Sequence, residues 1–201
     1  MAGDAMNDRR FRLLLAPLIL ALSACGGGPK EAPPLEGARI GGPFTLTDQN
    51  GRSFSDKQLA GKWRIMYFGY TFCPDVCPVD MANITAGLKA FEASDPARAA
   101  KVVPIFVTVD PARDTPAVLK QFVSNFHPRT IGLTGDAKTM EGVEKAFAIF
   151  AARKEGSTPG SYLMDHSRQT YLIDGEGKPI ALIPADESGK AVAELLDKWV
   201  S

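Results

Sequence analysis

Tyr67-Phe68-Gly69-Tyr70-Thr71-Phe72-Cys73-Pro74-Asp75-Val76-Cys77-Pro78 is the stretch on which the fold turns. An apolar, strand-like run from Trp63 to Tyr70 leads into two cysteines with three residues between them. A helical stripe of Met81, Ile84, Leu88 and Phe91 follows. Thiols this close are a redox pair or two soft metal ligands more often than packing. Pro78 disfavours helical backbone at Cys77 and suits the first helical position, so Cys77 is expected near an N-cap and Cys73 on the loop before it. Unpaired N–H groups and the positive dipole end favour thiolate there. In a regular helix, residues four apart keep their Cβ atoms ~5–6 Å apart, whereas a disulfide needs ~3.8 Å. A pair on a loop can close into a disulfide or spread around a metal.

Outward from this stretch, strand and helix patterns alternate. Phe44 to Thr47 and Arg52 to Phe54 flank Asp48-Gln49-Asn50-Gly51, an N-terminal β-hairpin signal. Val102 to Val109 is a continuous apolar run, as expected of a strand covered on both faces. Thr115-Pro116 reads as an N-cap and first residue of a helix through Phe126, and Thr130 to Leu133 as a short strand. Met140, Val143, Phe147 and Phe150 form the next helical stripe. Gln169 to Asp174 and Lys178 to Ile183 flank Gly175-Glu176-Gly177 as a second hairpin. Val192, Leu195, Leu196 and Trp199 mark a closing amphipathic helix. These elements predict an α/β chain with a central mixed sheet flanked by helices. With a cysteine motif between the first core strand and its helix, the architecture expected is thioredoxin-like.

The 201 residues carry 23 basic and 23 acidic side chains. Without a broad basic field, nucleic acid is disfavoured as a partner. Arg9, Arg10 and Arg12 precede the apolar run Leu13 to Leu22, which is well short of the ~20 residues a membrane span requires. A basic start, a short apolar core and small residues at its end describe a secretory signal. Leu22-Ser23-Ala24-Cys25 resembles the lipobox of bacterial lipoproteins, which implies cleavage before Cys25 and acylation of it. The expected organisation is a signal peptide over 1–24, a flexible tether over 25–36 and one domain over 37–201. The domain is expected on the periplasmic side of a bacterial membrane, lipid-anchored at Cys25. Outside the cytosol a close cysteine pair oxidises unless a metal or a reductant protects it.

The sequence has two histidines. His127, in Phe126-His127-Pro128, stands where a helix is expected to end and reads as a solvated terminal residue. His166, in Met164-Asp165-His166-Ser167, taken alone reads as a turn residue. Two thiolates and one imidazole would nonetheless make a three-coordinate Cu(I) site, whereas zinc ordinarily takes a fourth ligand. Asp110-Pro111 reads as a turn and Asp114-Thr115 as helix capping. Asp110 is also a candidate to support metal ligands from behind.

The cysteine stretch resembles the signature of the Sco/SenC proteins. Val109-Asp110-Pro111-Ala112-Arg113-Asp114-Thr115-Pro116 and Asp165-His166-Ser167 resemble two further motifs of that family, in the same order. The resemblance spans about residues 37–201. It implies a thioredoxin-like fold, membrane tethering, and copper, as Cu(I) with Cu(II) left open, held by Cys73, Cys77 and His166. It also implies a role in assembling the copper A centre of cytochrome c oxidase, whose copper-accepting subunit (subunit II) would be the client. Three functions stay open at this point. One is a copper metallochaperone; the runner-up is a thiol–disulfide oxidoreductase in which Cys73 and Cys77 are the redox pair and no metal is essential; the third is a thiol peroxidase of the peroxiredoxin kind, which shares the fold.

Overall fold

The computed structural model describes residues 31–201. The expected signal peptide, Cys25 and the first part of the expected tether lie outside the described residues. The first hairpin forms as β1 (Thr45–Asp48) and β2 (Ser53–Ser55). Gly51 closes it with φ +76°, a conformation that glycine adopts without steric penalty. The central strand β3 (Trp63–Gly69) is buried along its whole length and leads into α1 (Val76–Ser94) and the short α2 (Pro96–Ala99). Then come β4 (Val102–Thr108), α3 (Pro116–Val123), β5 (Ile131–Thr134) and α4 (Ala137–Ala146). The chain finishes with β6 (Ala151–Glu155), β7 (Tyr162–His166), β8 (Thr170–Ile173), β9 (Pro179–Leu182) and α5 (Gly189–Trp199).

Seven strands form one mixed sheet in the order β2-β1-β5-β4-β3-β8-β9. β3, β4 and β5 run parallel, and β8 pairs antiparallel with β3. The sheet and its helices build the expected thioredoxin-like architecture. Tyr67, Phe68 and Phe106 are fully buried at its centre, and burying each such ring contributes about 1.5–3 kcal/mol. α1 and α5 approach closely because glycines face each other across them. A Cβ on Gly87 would stand 2.5 Å from Val192 Cβ, and one on Gly189 would stand 2.7 Å from Ala86 Cβ.

The sequence reading missed or misplaced several features. α3 ends at Val123 rather than Phe126, because residues 124–126 turn back on themselves and Asn125 Nδ2 donates to the Gln121 and Phe122 carbonyls. α4 ends at Ala146: Phe147 is its C-cap, Ala148 turns to φ +52°, and Phe150 is exposed rather than core. Pro34 to Glu36, expected within a flexible tether, form a turn with Gly37. Leu35 packs on the core there and its N–H donates to the Ile180 carbonyl at 3.0 Å. His127 is buried instead of solvated, with Nε2 3.2 Å from the Glu92 carboxylate. Finally, β6 and β7 pair in a separate two-stranded sheet where the sequence suggested no hairpin.

Candidate metal centre

β3 ends at Gly69, and its register with β4 carries the following loop to the rim of the sheet. Gly69 has to be small. A Cβ there would meet the Tyr67 ring at 2.7 Å and Cys77 Sγ at 3.0 Å. The loop is strapped down by Asp114, which accepts from the Thr71 amide (3.0 Å), the Thr71 hydroxyl (2.6 Å) and the Thr108 hydroxyl (2.6 Å). Thr115, not Asp114, caps α3, accepting from the Val118 amide. Asp114 therefore ties the cysteine loop to the end of β4, a role the sequence reading gave to helix capping.

α1 begins at Val76, one residue before Cys77, so Cys77 lies inside the first turn and Pro78 is the third helical residue. Proline is tolerated there because the first-turn N–H groups have no intrahelical partner. Both cysteines are free and buried. The Cys77 amide donates to Cys73 Sγ at 3.4 Å, which seats one sulfur on the helix end and the other inside it. Burial pushes the Cys77 thiol up to about 12. The helix end was expected to favour thiolate, but here desolvation outweighs the dipole.

His166 ends β7 and faces this helix turn. Its Nε2 stands 3.6 Å from Cys77 Sγ, while its Nδ1 is 2.8 Å from the Ser167 carbonyl. A carbonyl only accepts, so Nδ1 carries the proton and Nε2 presents its lone pair to the sulfur. Burial lowers the His166 pKa, partly opposed by the Ser167 carbonyl and Asp165, so the ring is neutral and fit to ligate. The Tyr70 ring packs edge-on against it, with centroids 5.8 Å apart.

The donor set suits a soft ion. A metal about 2.3 Å from sulfur and about 2.0 Å from nitrogen would hold those atoms roughly 3.5–3.7 Å apart at tetrahedral to trigonal angles, close to the separation found. Among the described residues no three His, Cys, Asp or Glu side chains form a closed metal cage. Cys77 and His166 already face each other, and Cys73 Sγ lies next to them at 3.4 Å from the Cys77 amide.

Asp110 is buried, as a supporting residue would be, but it acts at a distance from the sulfurs. It accepts from Arg113 Nε at 2.5 Å and the Tyr162 hydroxyl at 2.9 Å, and Arg113 Nη1 donates to the Tyr162 carbonyl at 3.0 Å. Tyr162 starts the strand that His166 ends, so Asp110 fixes the far end of that strand. The Arg113 guanidinium also lies over the rings of Tyr162, Phe72 and Tyr70. A further buried carboxylate, Asp80, accepts from the Tyr67 hydroxyl at 3.0 Å and from Arg168 at 2.8 Å. Sequence reasoning missed it. Its only sequence signal was an acidic residue one turn beyond Cys77, next to Met81 of the core stripe.

The SCO1/SenC family model matches residues 32–201. The SCO2-like protein of Rickettsia felis is 40% identical over 162 residues, which is 80% of this chain and 77% of that protein. Copper-bound ScoI of Bradyrhizobium japonicum superposes with a TM-score of 0.71 at 39% identity, covering 80% of this chain and 99% of that one. Yeast Sco1 with copper bound gives a TM-score of 0.72 at 36% identity, covering 80% and 88%.

Proposed function

The chain belongs to the SCO1/SenC family, and from that premise we propose that it is a copper metallochaperone serving assembly of cytochrome c oxidase, holding its cargo on Cys73, Cys77 and His166. The observation that carries this reading is the pairing of Cys77 Sγ with His166 Nε2 at 3.6 Å, with Nδ1 already engaged by Ser167. A thiol–disulfide exchanger does not require an oriented imidazole lone pair at its buried sulfur. A soft cation does. Relatives in the same family were solved with copper bound.

The client is a protein that offers its own soft ligands, with the copper-accepting subunit II of the oxidase as the candidate. Among the described residues, four of the five exposed large apolar side chains belong to segments that carry the site. Phe72 precedes Cys73, Val79 follows Cys77, Leu163 lies on β7, and Phe150 is hydrogen-bonded to Ser167. The two that flank the cysteines, Phe72 and Val79, support protein docking over the metal. Lipidation at Cys25 and a periplasmic position complete the reading and rest on the lipobox-like sequence. No helix among the described residues is long and apolar enough to cross a membrane.

Copper titration of the reduced, purified chain tests the proposal. One Cu(I) per chain is expected, with sulfur and nitrogen donors in its X-ray absorption spectrum, and oxidation to a Cys73–Cys77 disulfide should abolish binding. Equal Cu(I) affinity in the oxidised and reduced forms would place the metal elsewhere. The thiol-exchange reading keeps one observation in its favour, the close approach of Cys73 Sγ to Cys77. It predicts that oxidase maturation survives His166→Ala and fails in Cys73→Ser; the chaperone reading predicts failure in both.

A further inference from the structure

His166 owes its place to a hairpin outside the main sheet. Its connection to β8 runs through Ser167, Arg168 and Gln169, and Arg168 reaches from there to α1. Its Nη2 lies 2.8 Å from Asp80 Oδ1 and its Nε lies 3.4 Å from Asp80 Oδ2, a two-pronged arrangement. Asp80 is 1% exposed and stands three residues beyond Cys77, on the same face of α1. The Tyr67 hydroxyl holds it from β3 below, with 3.0 Å to Oδ2. A carboxylate so deeply placed in a core-facing helix position needs such donors to be tolerated. The chain of contacts runs from β3 through Asp80 to Arg168, two residues past the imidazole, while Cys77 rides on the same helix turn as Asp80.

We propose that the Asp80–Arg168 pair is the positioning clamp of the copper site, fastening the outgoing end of β7 to the helix turn that carries Cys77 so that His166 stays in register with the sulfur. This rests on the ligand assignment proposed above. Neither residue ligates; both act through His166. Asp80 also offsets the Arg168 charge, so the pair works as a fastener rather than as a source of field on the thiolates.

Two measurements on the full chain test it. The first is a cycle of Cu(I) affinities by chelator competition on the reduced protein: wild type, Arg168→Gln, His166→Ala and the double variant. Arg168→Gln should weaken binding about tenfold, as loss of support behind a ligand does. It should have no further effect once His166 is gone. Wild-type affinity in Arg168→Gln, or losses that add in the double variant, overturns the clamp. The second is amide hydrogen exchange of the copper-free protein. Exchange across Leu163 to Ser167 should accelerate several-fold in Arg168→Gln and less in Arg168→Lys, which keeps the charge but not the fork. Unchanged exchange overturns the clamp whatever the copper data say. A wild type that binds no Cu(I), or His166→Ala with undiminished affinity, instead overturns the ligand assignment and leaves the exchange result to decide the clamp. Arg168 is 44% exposed, whereas its partner is buried, so Gln keeps a donor for Asp80; if Arg168→Gln fails to fold, Arg168→Lys serves in both measurements.

Discussion

The two halves of the proposed copper site are built in opposite ways. The cysteines sit where β3, buried at every residue, meets α1, and Cys77 itself is fully buried. The histidine sits at the base of a two-stranded hairpin whose strands are exposed or half-buried. Burial holds the sulfurs, whereas a few polar contacts hold the imidazole: Asp110 and Arg113 at Tyr162, and Asp80 at Arg168. The contrast suits a carrier, since a donor on a lightly fastened arm can leave the metal before the thiolates do.

Breaking the core half should do the most damage. Cys77→Ser removes a sulfur that nothing nearby can replace, and Cu(I) binding by chelator competition should be abolished. Gly69→Ala is the next test. Its methyl would press on the Tyr67 ring and on Cys77, so chemical denaturation should show a loss of about 1–3 kcal/mol, with Cu(I) affinity falling alongside. Undiminished stability in Gly69→Ala would show that the close packing beneath Cys77 is dispensable.

The hairpin half should respond more gently. Tyr162→Phe deletes the hydroxyl that reaches Asp110, for about 1 kcal/mol. Faster amide exchange confined to β6 and β7 should follow, with the main sheet unaffected. Exchange that accelerates in β3 as well would erase the distinction between the two halves.

An effect confined to one pH window lies at the root of the hairpin, in α4. Burial, with Glu141 nearby, raises Glu144 to about 7, above its ~4.3 in an unfolded chain. The folded state therefore binds that proton more tightly. The stabilisation is complete below about pH 4.3 and is lost as pH climbs through about 7. Thermal melts across this window should show the decline, and Glu144→Gln should flatten it.

The same contrast explains what could be read from the sequence. β3, α1 and β4 were legible because core elements write themselves as continuous apolar runs or helical stripes, and Trp63 to Tyr70 or Met81 to Phe91 can hardly be anything else. β6 and β7 were not, since Ala151-Ala152-Arg153-Lys154-Glu155 has neither alternation nor β-branched residues. It pairs through backbone hydrogen bonds, which leave little imprint on composition. Cys73, Cys77 and His166 came from motif likeness, and the structure brings Cys77 and His166 face to face. Asp80 was hidden because one carboxylate in an amphipathic helix looks like surface until its partners, 13 and 88 residues away, are known. The raised Cys77 thiol was missed for a related reason: burial at a strand–helix junction is a property of the assembled core, and local rules see only the helix end.

α5 runs alongside α1 in the same direction, with Ala185 beside Asn83 at one end and Asp197 beside Arg98 at the other. Leu35 packs near Leu195 and Trp199 at that second end, whereas Cys77 opens α1 at the first. Nineteen helical residues, ~28 Å, thus separate the strand of chain that enters the domain from the sulfurs. With the lipid anchor proposed above, the entering strand is the point of attachment and the sulfurs lie the length of α1 away from it. An acceptor would then be met at the end of the domain remote from its attachment, with the span of α1 added to the reach of whatever precedes Leu35.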